Sequence, residues 1–219
     1  MTPASVSVFS PVEVHLPAIR TEVEQQIEKL RATLPDPAGL TAAQRRTIIA
    51  RYTSVLEGNF IYWMTGALLA TKSQAAKEKI LENLHEEVRD SHPNMMRKFA
   101  LAANAAPTEA DAAAVFTPLT AVRLFIGKLS PVPIVVTMAY FEGFIQQFMP
   151  YLADLAKRQG SSEMEYTDVH GVCDITHTEE LYNALKAEIA LSNGSTPTGK
   201  ELFEGVTLLR RLIDAMVAV

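Results

Sequence analysis

The sequence predicts an all-α, seven-helix bundle forming a single domain over residues 1–219. Glycine is scarce, with 10 in 219 residues. No stretch alternates apolar and polar residues over the length of a strand, and the strong helix formers Ala, Leu, Glu, Lys, Gln and Met dominate. Breakers and caps also recur at helix-length intervals.

The first segment runs from about Leu16 to Leu34 and stops at Pro35-Asp36-Pro37, where proline bars continuation. The second begins at Thr41, a good N-cap, and continues to about Thr71. A third starts near Ser73 and loses regularity before Pro93, because the residue preceding a proline is pushed out of the α region. Within the alanine-rich connection Ala100 to Ala114, Thr108 and Glu109 to Asp111 open a fourth helix, which ends near Gly127. Ser130-Pro131 opens a fifth that reaches Gly160. The sixth spans about Ser162 to Ser192 and the seventh Pro197 to Val219. Apolar residues surround the second helix (Phe60, Trp63, Met64) and the fifth (Tyr140, Phe141, Phe144, Phe148), which places both at the centre of the bundle.

Charge and composition narrow the function. A net charge of −5 with scattered Lys and Arg offers no patch for phosphates, so nucleic acid is excluded as a partner. The apolar stretch Val132 to Phe141 ends at Glu142, well short of the ~20 residues a spanning helix needs. Membrane insertion is therefore not expected. One cysteine, Cys173, permits no internal disulfide, and Met1 to Pro11 lacks the basic and apolar regions of a leader. A cytoplasmic setting is expected.

Both central helices carry an acid where the pattern asks for an apolar residue: Glu57 in the second, Glu142 in the fifth. A buried unpaired carboxylate costs several kcal/mol at least, so each needs a cation or a proton if it faces inward. Pairing with an arginine, or an outward orientation, would satisfy them equally. The sixth helix is more specific. His170, Asp174 and His177 form H-x3-D-x2-H and fall within about 60° of one another on the helical wheel. Two imidazoles and a carboxylate on one face suit Fe, Mn or Zn; a solvated polar face is the plain alternative. The third helix supplies Glu82, His85, Glu86, Glu87, Asp90 and His92. On a regular helix His85 pairs with His92, whereas Glu87 and His92 lie about 140° apart. Pro93 argues for an unwound or bulged last turn, so spacing leaves the choice open. Together, four segments aim carboxylates and histidines at a bundle interior, the way di-iron and di-manganese carboxylate centres are built.

With these residues in hand, the chain resembles the haem-oxygenase-like di-iron oxidase and oxygenase superfamily along nearly its whole length. The most specific element is His170-x3-Asp174-x2-His177, which looks like the third metal-binding helix of the fatty-acid-decarboxylating, N-oxygenating and amino-acid-cleaving members. Val55-Leu56-Glu57 resembles the first ligand helix. Asn83-Leu84-His85-Glu86-Glu87 resembles the Asn-Leu-x-x-Glu that selects Glu87, with His92 as the following histidine. Glu142-Gly143 looks like the Glu-Gly that adds a bridging carboxylate in some members.

The resemblance implies two Fe(II) ions held by Glu57, Glu87, His92, His170, Asp174 and His177, with Glu142 bridging or behind them, and O2 as co-substrate. It implies oxidation or cleavage of a small amino acid-type carboxylate in specialised metabolism. Fatty-acid decarboxylation to a terminal alkene is an alternative. So is a metal-free relative, such as a thiaminase-type hydrolase or a cofactor-free quinone-forming oxidase, or a non-catalytic helical binding protein. Phe60, Trp63, Tyr140, Phe141, Phe144 and Phe148 are the expected substrate pocket, with Tyr62, Gln146 and Gln147 as hydrogen-bonding partners. Dimers are common among such folds.

Overall fold

In the computed structural model, residues 11–192 and 196–219 are described; the N-terminal stretch read for a leader lies almost wholly outside them. Among the described residues every regular element is helical: α1 (Pro11–Arg31), α2 (Ala42–Ala70), α3 (Gln74–Arg89), α4 (His92–Ala102), α5 (Glu109–Ile126), α6 (Pro131–Arg158), α7 (Glu165–Leu191), α8 (Gly199–Leu202) and α9 (Glu204–Val217).

The seven-helix expectation becomes nine, for local reasons. The predicted third segment ends at Arg89, and Ser91 turns the chain in the left-handed region at φ 57°. Pro93 then sits in the first turn of a new helix, where its missing N–H and fixed φ are no handicap. So the proline that bars one helix starts another, and α4 occupies part of what reads as a connection. The last segment divides at Phe203 into the single turn α8 and the amphipathic α9.

Caps fall where the side chains dictate. Thr41 and Thr108 each form a capping box, with Gln44 and Asp111 reaching back to the cap N–H. Ser73 caps α3, and the buried carboxylate of Glu188 on α7 accepts from the N–H groups of Lys72 and Ser73 at 2.9 and 2.6 Å. An anion at a helix N-terminus is favoured by the helix dipole, and here it ties the start of α3 to α7.

α6 is buried around almost its whole circumference from Val132 to Ile145 and packs along α7. α2 packs against α3, α4, α5 and α6, and α3 runs against α7. The core is continuous through Tyr52, Trp63, Phe99, Phe141, Phe144 and Phe148. α3, α4, α6 and α7 thus meet around one buried polar region enclosed by apolar side chains.

Candidate metal centre

Into that region α7 directs His170, Asp174 and His177 from its inner face, all buried, with Asp174 at 0% exposure. The i, i+4 and i+7 spacing is enough to align them. α3 adds Glu87, α4 adds His92 and α6 adds Glu142, again all buried. The chain reversal at Ser91 brings His92 Nδ1 to 2.8 Å from Glu87 Oε1, although the two are five residues apart. His170 Nε2 lies 3.7 Å from the same Glu87 oxygen, and the rings of His92 and His170 are 4.5 Å apart. Glu87, His92 and His170 therefore form one group whose donor atoms all lie within 4.8 Å of one another.

A second group adjoins it. Cys173, Asp174 and His177 also have donor atoms within 4.8 Å. His177 Nδ1 stands 3.7 Å from Asp174 Oδ1 and 3.8 Å from Glu142 Oε1. Glu142 accepts a hydrogen bond from Asn83 Nδ2 at 2.9 Å. Asp174 Oδ2 and His177 Nδ1 are buried without any hydrogen-bond partner. Buried polar atoms are nearly always satisfied, so two orphaned donor atoms in one acidic pocket fit a cation between them.

Electrostatics follow from this crowding. Burial pushes the Glu87 carboxyl up, but hydrogen bonds from His170 and His92 outweigh it and bring it down to about 2. Glu142 goes the other way, pushed up to about 8 by burial and then by the Asp174 charge. Burial lowers the affinity of His177 for a proton, yet Asp174, Glu142 and Glu86 more than reverse this and raise it to about 10.

Several expected residues are placed elsewhere. Glu57 is not in the cluster. Its helix is broken at Glu57 and Gly58, and its carboxylate, 34% exposed, pairs with Arg97 of α4. A surface cation satisfies it, so it needs none inside; Leu56, one position earlier, faces the cavity instead. His85 is exposed, which leaves Glu87 as the partner of His92.

The cavity beside the cluster is walled by Leu56, Phe60, Ile61, Pro93, Met96, Phe141, Ile145 and Tyr166. Of the six expected pocket residues only Phe60 and Phe141 line it. Trp63 packs edge-on against Phe141 at 5.3 Å, Phe144 stacks on Phe148 at 5.1 Å, and Tyr140 is fully buried, so these four are core. Tyr62 points to solvent, Gln147 accepts from Arg31 at the surface, and Gln146 is half-buried at an outer cleft. An aromatic on a helix buried all round has no preferred direction in the sequence, so periodicity could not separate core from cavity.

Three further contributors are helical neighbours of a candidate ligand; Tyr166 and Asn83 went unassigned in the sequence, and Glu86 stood among the third-helix alternatives left open there. Tyr166, four residues before His170, offers its carbonyl to His170 Nδ1 at 2.9 Å and its phenol to Tyr52 at 2.7 Å. Asn83, four before Glu87, holds Glu142. Glu86 meets His177 Nε2 at 2.9 Å. The i, i+4 rule is the signal that marks the first two.

An all-helical bundle that buries histidines and carboxylates together has the donor set of a metal-binding protein. Residues 49–203 match the family of iron-containing redox enzymes, and the chain belongs to that family. It is accordingly an oxidoreductase. No curated protein matches the chain. The donor set agrees with iron, since imidazole and carboxylate together suit it. No described helix is long and apolar enough to cross a membrane.

Proposed function

We propose that the chain is an O2-activating oxidase or oxygenase with two iron ions, acting on a small amino acid-type carboxylate with an apolar side chain. The observation that carries this reading is the pair of adjoining donor groups. Glu87, His92 and His170 would hold one ion and Asp174 and His177 the other, with Glu142, 3.8 Å from His177 Nδ1, beside the second.

When bound, the irons supply the electrons and the coordination positions that O2 needs to react. The protein's own part is to orient and exclude. Tyr166 fixes His170 through its carbonyl, and second-sphere hydrogen bonds of this kind set ring orientation and ligand basicity. Leu56, Phe60, Ile61, Met96, Phe141 and Ile145 keep water from the reacting region.

The chemistry of the cavity bears on the substrate. Its free volume is about 20 Å³, room for about one water, so the lining, and not the volume, bears on the substrate class. Among the described residues no Lys or Arg lines it, so a substrate carboxylate would be neutralised by metal, with the apolar wall receiving the side chain. That same wall is what favours fatty-acid decarboxylation as a second reading. Cys173 gives no support to a thiaminase-type reaction: burial first, and then Asp174, pushes its thiol up, away from the nucleophilic thiolate.

The test is anaerobic titration with Fe(II), followed by O2 exposure across a panel of amino acids and fatty acids. Two ions per chain, with O2 consumption accelerated by an apolar amino acid, is the expected result. Fewer than two ions, or no acceleration by any carboxylate, would overturn it.

A further inference from the structure

Resting on the two-ion reading above, we propose that Glu86 is a positioning residue that selects the ring tautomer of His177, so that His177 meets its metal through Nδ1 while His170, on the same helix, does so through Nε2. His177 Nε2 is 2.9 Å from Glu86 Oε2. An ionised carboxylate only accepts, so this contact keeps a hydrogen on Nε2, and in the neutral ring that a metal ion would bind it is the Nδ1 lone pair that is left free. Nδ1 is the atom found buried and without a partner, facing Asp174 and Glu142. His170 is arranged the opposite way. Its Nδ1 donates to the Tyr166 carbonyl, and its Nε2 faces Glu87.

Position explains the division of labour between two adjacent acids. Glu87 is buried in the cluster, whereas the Glu86 side chain is 35% exposed at its edge. One turn of α3 thus presents an inner carboxylate toward the metal and an outer one toward the back of a ligand. Because Glu86 is reached from α3 and His177 from α7, the contact also makes the geometry of the second group depend on how these helices pack. The arrangement is the carboxylate–histidine–metal relay, in which outer carboxylates typically contribute 10–100-fold to metal affinity.

The rival role for Glu86 is that of a direct ligand, and a pair of variants separates the two. In Glu86→Gln the amide oxygen still accepts from Nε2–H, but it is a neutral, poor ligand for a divalent ion. In Glu86→Ala the acceptor is gone. Co(II) is the probe, titrated anaerobically into the metal-free protein, with circular dichroism confirming that each variant is folded. Wild type should take up two ions. Glu86→Ala should lose about 10–100-fold in affinity at one of them and nothing at the other; Glu86→Gln should stay near wild type at both.

Proton NMR of the Co(II) protein reads the tautomer directly. A ring bound through Nδ1 keeps its Cδ2–H remote from the ion and sharp, whereas both ring C–H signals broaden when binding is through Nε2. The signal is assigned by its loss in His177→Gln. A sharp, shifted Cδ2–H in wild type and in Glu86→Gln is the expected result, and this second reading stands even if the alanine variant fails to fold. The proposal is overturned if glutamine binds as poorly as alanine, if alanine binds both ions as wild type does, or if the sharp signal is absent. Wild type that binds fewer than two ions overturns the two-ion reading itself, and with it the role of Glu86.

Discussion

His92 Nδ1 lies 2.8 Å from Glu87 Oε1 across a chain reversal, and the reversal is made by one residue, Ser91, at φ 57°. On a continuous helix, five residues of separation would turn these two side chains away from each other. Ending α3 and restarting the chain as α4 brings them to the same point.

This makes Ser91 a conformational requirement. The left-handed region costs a side chain with a Cβ roughly 1–2 kcal/mol, and more when Cβ is branched. Ser91 already bears that cost, so Ser91→Val should lower stability by the further strain of a branched Cβ in urea unfolding and reduce bound iron. Ser91→Gly should retain full iron. Equal iron content in the two variants would remove the role assigned to the reversal.

The two imidazoles of α7 belong to different donor groups. A His170→Ala, His177→Ala double variant should therefore bind no iron under anaerobic titration, while each single variant keeps partial occupancy. Iron binding that survives in the double variant would place the centre elsewhere.

Glu57 should behave as a surface residue. Glu57→Ala removes an exposed pair with Arg97, and such pairs are worth about 0–1 kcal/mol. Iron stoichiometry should stay at the wild-type value and the urea midpoint should shift little. A loss of one iron per chain would return Glu57 to the ligands.

The acidic pocket sets a pH dependence with a defined sign. Glu142 is raised to about 8 from an ordinary 4.5, so between these values the folded chain holds a proton that the unfolded chain has released. Stability then falls as pH rises through that window. His177, raised to about 10 from 6.5, contributes stability that is complete below 6.5 and is lost as pH rises through 10. The metal-free protein should thus weaken steadily from about pH 5 to 10, as urea midpoints would show. A metal displaces both protons, so iron affinity should climb over the same range. Metal-free stability that rises across it would contradict the burial of this pair.

Glu188 is expected to matter without touching the site. Its carboxylate takes two backbone N–H groups at the start of α3. Glu188→Ala leaves them unpaired at about 1–3 kcal/mol, and since α3 carries Glu87, iron affinity should fall with stability. Glu188→Gln, which keeps an acceptor, should recover much of both.

What the sequence determined by itself is whatever depends on neighbours within a few residues. The helical class follows from composition, Thr41, Ser73 and Thr108 sit at their caps, and His170, Asp174 and His177 share a face because 3.6 residues per turn leaves them nowhere else to point. Tertiary structure decided the rest. Whether Glu57 or Glu142 turned inward depended on which had a cation outside: Arg97 of α4 lies beside Glu57, while Glu142 is enclosed by α3 and α7. Whether Phe60 or Phe144 met the cavity depended on how two all-round apolar helices rotated against their neighbours. Local periodicity gives a side chain its angle around its own axis; only the packing of other helices gives that angle a destination.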